Sequence, residues 1–300
     1  MQVIRDNFRD RVMVACIYVF LTLLAFTTFY PFWNSFVISL NEGRDTAIGG
    51  ITFFPRNFTL ENYAIVFQDD RLMNGFMISV LRTVVGTVTA IIATSIFAYG
   101  MSKRELIGRK YYMILSVITM YFGGGLIPTF LLIRSLGLMD SFWVYIIPSL
   151  ISVWNMIIFR TFFQGLPVGL EESAKIDGCG NWGTFFRIIL PLSGPVIATL
   201  ALFTAVGHWN EWFLASIYIS TEHLLPIQTI LKQILDSNIA SEQIANLDAA
   251  SYARMQQMKT VTGKSLSMAT MMVATLPIVM IYPFVQKYFV KGVLVGSLKE

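Results

Sequence analysis

Charged residues are scarce in this chain, and their scarcity excludes most soluble folds. They make up 13% of 300 residues, against about 25% in an ordinary soluble domain. Hydrophobic residues make up 55%, and the mean hydropathy is +0.63. Together with repeated long apolar runs, this puts the chain in the membrane class. Histidine is scarcer still. His208 and His223, fifteen positions apart, are the only two, so His208 reads as a hydrogen-bonded interior residue rather than a metal ligand. Cysteine is limited to Cys16, inside the first apolar run, and Cys179, in a polar loop. Two such cysteines make no disulfide framework. No nucleophile–base constellation, no paired catalytic carboxylates and no metal-spaced Cys/His cluster is present. Gly263-Lys264-Ser265 ends like a phosphate-binding loop, but Met258 stands where that loop needs its first glycine. No enzymatic activity, bound cofactor or metal is therefore expected of this chain. The net charge of +4 is modest and calls for no nucleic-acid partner.

What is abundant is apolar length. Six stretches reach the roughly 20 helical residues that a hydrocarbon core needs: Val12–Ser35, Asn74–Met101, Tyr111–Ile133, Phe142–Phe163, Leu192–Ile219 and Leu266–Val290. The fold class is all-α, a polytopic membrane protein with six transmembrane helices in one domain over residues 1–300. Arg5, Arg9 and Arg11 precede an apolar run that lacks a small-residue cleavage site, so the first span is expected to stay uncleaved. Pro31, Pro128, Pro148, Pro195 and Pro277 lie in or near spans, where neighbouring helices can satisfy the freed backbone groups. Gly123-Gly124-Gly125 followed by Pro128 marks a break in the third span. Ile227, Ile230, Leu231, Ile234 and Leu235 have helical spacing within the loop 220–265, consistent with a surface helix or an ordinary structured loop.

Loop charge gives an orientation. Lys103, Arg104, Arg109 and Lys110 face Glu105 alone in the short link after the second span. The N-terminal arginines, Lys175, Arg187, Lys291 and Lys299 fall on the same side if the six spans alternate. Acids slightly outnumber bases on the other side. Positive charge collects on the inner face, so both termini and the loop 164–191 are expected in the cytoplasm.

That loop carries the main motif. Residues 171–191 read Glu-Glu-Ser-Ala-Lys-Ile-Asp-Gly-Cys-Gly-Asn-Trp-Gly-Thr-Phe-Phe-Arg-Ile-Ile-Leu-Pro. Pro167 suits a helix start, Leu166, Leu170, Ala174 and Ile176 supply apolar contacts, and Gly178 permits a positive φ at the turn. A short amphipathic helix on a polar loop is a common way to dock into another protein's groove. Glu172, Ala174, Gly178, Ile188, Leu190 and Pro191 fall at the spacings of the "EAA" loop of ATPase-driven importer permeases. With Phe58-Thr-Leu-Glu-Asn-Tyr63, Trp209-Asn210 and Gly292–Leu298, they carry a resemblance over essentially the whole chain. The chain resembles the carbohydrate-uptake permeases of bacterial ABC importers, the maltose-type second permease subunit, in the branch that imports oligosaccharides and uronate-containing saccharides. Ser173 departs from the motif's central alanine but remains small.

The resemblance implies a type I ABC importer permease fold and a cell-membrane location. It implies ATPase-coupling roles for Glu172, Ser173, Ala174, Asp177, Gly178, Ile188, Leu190 and Pro191. It also implies partners: a homologous permease subunit, two ATPase subunits that bind ATP and magnesium, an extracytoplasmic binding protein, an oligosaccharide, and the lipid membrane. Arg82 and Glu211 are ionisable groups inside spans and so functional suspects. At about 1.5 Å per residue they lie at matched depth, as an ion pair that either fixes packing or contacts sugar. Trp209, Asn210, Trp154 and Tyr121 are further candidates for the substrate pathway, against the ordinary use of aromatics in cores and interfacial belts. The alternative from another class is an ion-coupled secondary transporter of a small polar solute. It leaves the docking loop unexplained.

Overall fold

The computed structural model describes residues 8–245 and 261–297, with side chains for 8–237 and 261–281. Among these residues the chain is helical, and β-pairing is limited to one bridge, Asn41 with Phe58. The helices in order are α1 (Phe8–Ser39), α2 (Gly43–Ile48), α3 (Glu61–Gln68), α4 (Asp70–Ser102), α5 (Arg109–Tyr121), α6 (Leu126–Ser135), α7 (Val153–Gln164) and α8 (Val168–Ile176). Then follow α9 (Asn181–Leu192), α10 (Gly194–Asn210), α11 (Phe213–Tyr218), α12 (Ile227–Ala245) and α13 (Gly263–Ser297).

Helices α1 and α4 and the segment Gly263–Ile281 of α13 are each long and apolar enough to cross a membrane. Three bent pairs also qualify: α5 with α6, Phe142–Ser149 with α7, and α9 with α10. Counting each pair once gives up to six spans. Two of these breaks have a visible local cause. The α5–α6 pair turns by 114° at the glycine triplet before Pro128. The second pair bends by 47° just after Pro148. There Ser152 caps α7 by accepting the Asn155 amide (3.3 Å), while the hydroxyl of Thr94 on α4 accepts the Ser152 amide (3.2 Å) and donates to the Leu150 carbonyl (3.4 Å). A neighbouring helix thus takes up backbone groups that the bend releases.

The expected span Leu192–Ile219 is not one helix. α10 stops at Asn210, and α11 begins at Phe213. The Glu211 carboxylate accepts the amides of Phe213 (2.7 Å) and Leu214 (3.1 Å), so it starts a new helix instead of continuing the old one. α13 runs past the expected end at Val290 as far as Ser297, so the closing segment Gly292–Leu298 is helical up to that point.

The chain divides into two compact units, Met1–Asp69 with Gln233–Ala274, and Asp70–Lys232 with Thr275–Glu300. In the first, Asn41 organises the turn after α1. Its side-chain oxygen accepts the amides of Arg56 (2.9 Å) and Asn57 (3.0 Å), and its nitrogen donates to Asp45 (2.9 Å). Asn62 donates to the carbonyls of Ser39 (2.9 Å) and Asn41 (3.0 Å), and the Tyr63 hydroxyl lies 2.7 Å from that of Ser39. The Phe58–Tyr63 segment is thereby tied to the end of α1. Burial raises the Tyr63 phenol above its ordinary pKa, and the Ser39 bond opposes part of that rise.

The second unit is built on α4 packed against α7 and α10. Its apolar core comprises Ile91, Ala98, Tyr99 and Met101 of α4, Met156, Phe159 and Phe163 of α7, Phe185 and Ile189 of α9, and Leu200 of α10. Tyr99 lies 5.1 Å from Phe185 and 6.2 Å from Phe163 between ring centroids. The polar loop is therefore wedged into the same core as the spans.

Candidate functional site

Two places in the second unit carry the candidate residues. The first is the loop end. α8 begins after Pro167, has Glu171 in its first turn and Lys175 in its last, and ends at Asp177. Gly178 follows at φ +79°, with its amide bonded to the Lys175 carbonyl (3.1 Å) and the Cys179 amide bonded to the Ala174 carbonyl (2.8 Å). This is the paired closure of a Schellman turn, which favours glycine at the left-handed position. Ala174 is buried, while Glu172, Ser173, Asp177 and Gly178 are exposed, Ile188 and Leu190 are half-buried and Pro191 is exposed.

Other residues fix this loop that sequence reasoning did not single out. Phe185 and Ile189 are each 1% exposed and pin α9 to the core. The Lys103 ammonium pairs with the Glu171 carboxylate and lies 4.0 Å from the Tyr99 ring centroid. Arg160 donates to the Met101 carbonyl (3.2 Å) and Gln164 to the Ser102 carbonyl (3.3 Å). A recess of about 370 Å³ lies between this link and α8, lined among others by Arg104, Arg109 and Lys175. Outside these anchors Ile176 is 86% exposed, and Val168, Trp182 and Phe186 are exposed as well. The result is an apolar outer face on a firmly held loop.

The second place is a cavity of about 360 Å³ between α4, Tyr145, α7 and α10, lined by Arg82, Tyr145, Ser149, Ser152, Asn155 and His208, with Glu211 and Leu214 at one side. Arg82 and Glu211 do meet, but not as the expected ion pair. One guanidinium nitrogen, Nη2, donates to the backbone carbonyl of Glu211 and to that of Trp209 (3.3 Å). The Glu211 carboxylate is engaged by the α11 amides described above. The Arg82 guanidinium carbon sits 5.3 Å from the Tyr145 ring centroid. Nε and Nη1 are buried and have no hydrogen-bond partner.

Of the other candidates, Trp209 is 5% exposed, packs edge-on against Phe76 at 5.7 Å and does not line the cavity. Asn210 is exposed, as are Trp154 (61%) and Tyr121 (75%), and none of the three lines it. Asn155, beside Trp154, does line it, donating to the Thr204 hydroxyl at 3.2 Å. Its helical phase, on the face of α7 turned to α4 and α10, was the signal available in the sequence. The cavity holds hydroxyls, an amide, an imidazole and a cation. It offers hydrogen bonds to a polar solute and no arrangement for bond cleavage.

Comparison with known proteins gives the family. A family model described as "Binding-protein-dependent transport system inner membrane component" matches residues 3–295. The "Polygalacturonan/rhamnogalacturonan transport system permease protein YtcP" of Bacillus subtilis (strain 168) is 41% identical over 292 residues, covering 97% of this chain and 99% of its own. "Protein LplC" of the same organism is 41% identical over 289 residues, covering 96% and 95%. Among solved structures, a chain of a bacterial ABC transporter involved in the import of the acidic polysaccharide alginate has a TM-score of 0.84 at 27% identity, over 94% of this chain and 98% of that one.

Proposed function

Since the chain belongs to the family of binding-protein-dependent transport system inner membrane components, we propose that it works by alternating access in concert with partner subunits. It is a membrane-spanning permease subunit of an ATP-driven saccharide importer and not itself an enzyme. An extracytoplasmic binding protein hands an oligosaccharide to the outer side. A homologous permease completes the pathway, and two ATPase subunits, which bind ATP and magnesium, drive the cycle. The multi-pass chain lies in the bacterial cell membrane with both termini and the loop 164–191 in the cytoplasm, the orientation that the basic links favour.

The observation that carries the coupling role is the construction of the loop. An exposed face at Ile176, Val168, Trp182 and Phe186 stands on anchors, Phe185, Ile189 and Lys103–Glu171, that belong to the spans. A push on that face is passed to α4, α7 and α10 without slack. Glu172, Ser173, Ala174, Asp177, Gly178, Ile188, Leu190 and Pro191 shape this coupling element. The wall of the cavity between the spans serves the substrate pathway through Arg82 and Glu211. Family membership also decides against the ion-coupled reading.

The test uses the complete transporter in proteoliposomes. Gly178→Val places a β-branched side chain at φ +79°, at a cost of about 1–2 kcal/mol in the turn. No neighbour lies within 4 Å of the added Cβ, so the damage is confined to the turn. ATPase co-purification and ATP-dependent uptake should fall, while Gly178→Asn, which tolerates the left-handed region, should retain most of both. Full activity in Gly178→Val would remove the coupling role. Uptake driven by an ion gradient without ATPase would remove the importer reading itself.

A further inference from the structure

The turn between α1 and α3 contains a loop that the transport reading does not use. Residues 46–55, Thr-Ala-Ile-Gly-Gly-Ile-Thr-Phe-Phe-Pro, carry no charge. A polar clasp closes the base of this loop. Arg56 Nε pairs with the Asp45 carboxylate at 2.9 Å, and Nη2 donates to the carbonyls of Gly49 (2.6 Å) and Asp45 (3.3 Å). Gly49 and Gly50, at φ +82° and +76°, turn the chain back, a conformation that glycine adopts without steric cost. The returning segment then runs down α1. The Asn34 side-chain amide donates to the carbonyls of Ile51 and Thr52 (3.0 Å each), and the Trp33 indole donates to that of Phe53 (3.0 Å). The Tyr30 and Phe53 rings lie 5.4 Å apart between centroids. Three successive carbonyls of an irregular segment are thus taken up by α1, while Phe53 and Phe54 stay outside, Phe54 at 77% exposure.

Such a build answers to lipid rather than to water. In water a loop carbonyl needs no protein partner, whereas in lipid each one left free is costly. Depth agrees. Arg11 is the last charge before the apolar run of α1, and about 20 residues at about 1.5 Å each, the thickness of a hydrocarbon core, lead from it to Pro31. Tyr30 and Trp33, and Phe53 with them, therefore stand where the core gives way to headgroups, the level at which Trp and Tyr gather. The Tyr30 ring also stacks with Phe26 at 6.2 Å, so the apolar surface of the loop continues that of the span. α1 itself runs on to Ser39, about 13 Å beyond Tyr30, and the loop comes back down to the boundary from there. We propose that loop 46–55 is a lipid anchor at the membrane boundary on the Ser39 side of α1. Phe53 and Phe54 insert among the acyl chains of that leaflet, with the Asp45–Arg56 clasp above them in the headgroup layer. The orientation under Proposed function makes this the outer leaflet, but the depth of the loop does not depend on it. The anchor resists sliding of α1 along the membrane normal.

The test places one nitroxide label on the complete transporter, reconstituted in vesicles of phosphatidylethanolamine and phosphatidylglycerol. Cys16→Ser and Cys179→Ser leave the label a single site. On Phe54→Cys, oxygen should reach the label far more readily than a water-soluble nickel chelate does, at a depth of about 5–10 Å, that of interfacial anchors. Thr52→Cys keeps both phenylalanines and should report the same preference, so it reads the loop even where a label at position 54 unseats it. Asn57→Cys is the control. Its side chain is exposed, and its carbonyl accepts the Glu42 amide (2.9 Å) beyond the end of α1, so there the nickel chelate should win. Nickel access at positions 52 and 54 equal to that at position 57 would put the loop in water and overturn the proposal. Access to neither reagent at positions 52 and 54 would mean a protein cover, from the partner permease or the binding protein, and would overturn it as well.

Discussion

His208 of α10 rests against Gly86 of α4 so closely that a Cβ built on Gly86 falls 2.6 Å from Nε2 and 2.7 Å from Cε1. Small residues let transmembrane helices approach where lipid offers no hydrophobic drive between them. Here the gap left by hydrogen is filled by an imidazole that also forms part of the cavity wall. Gly86→Ala must therefore displace the ring or separate α4 from α10, at about 1–3 kcal/mol for an overpacked site. The melting midpoint of the purified complex should fall. His208→Ala opens the space, so the double variant should be more stable than the sum of the two single effects predicts. Strict additivity would mean that the ring moves aside freely and that the close approach does not matter.

At the level of elements, Asp140 is the joint of the end opposite the loop. It lies at φ 53°, its amide donates to the Tyr218 carbonyl (2.8 Å), and its carboxylate accepts the Thr221 hydroxyl and the amides of Thr221 (2.8 Å) and Ser220 (3.0 Å). The turn after α6 is thus tied to the turn after α11. The Thr221 hydroxyl, then the two amides, hold the Asp140 carboxyl below its ordinary pKa, and His223 adds a smaller pull in the same direction. A depressed folded-state pKa means stability that is fully present above the unfolded value, about 3.9, and is lost as pH falls through the folded value. Melting midpoints of wild type and Asp140→Asn should differ by a constant amount above about pH 5 and converge below about pH 4. A gap that stays constant down to pH 3 would show that the carboxylate charge contributes nothing.

The elements also mark what the sequence could disclose. Apolar length marked the stretches that form long helices, the glycine triplet located the sharpest bend, and Gly178 lies at a left-handed turn because that demand is written in a single residue type. Pro148 stands just before the bend that precedes α7, but the end of α10 was hidden, and in both places a side chain of another helix, Thr94 or Arg82, takes up the released carbonyls. Every residue carries a carbonyl, so no letter of the sequence marks which ones a distant side chain will take. For the same reason matched depth brought Arg82 and Glu211 together on paper as charges, whereas their contact runs through the backbone. Phe185 and Ile189, two apolar residues among many, gave no sign that they pin α9 to the core.

For the molecule as a whole, the polar loop and helices α4, α7 and α10 form one mechanical piece within the second unit, and α9 is its least ordinary part. Over Phe185–Ile189 its backbone opens into a π turn, with the Leu190 amide reaching the Phe185 carbonyl five residues back. A π turn is an α-helix that has absorbed one extra residue. It sets the angular phase between the outer face of the loop and α10, since one residue corresponds to about 100° of rotation. Chain length here should then be under tighter constraint than side-chain identity. Removing Arg187, an exposed residue, should swing the apolar face of α8 away from its seat and abolish ATP-dependent uptake, whereas Arg187→Ala keeps the count and should leave most of it. Equal uptake in the two would show that the phase is free. Otherwise, natural insertions and deletions should be rare in these five positions even where substitutions are tolerated.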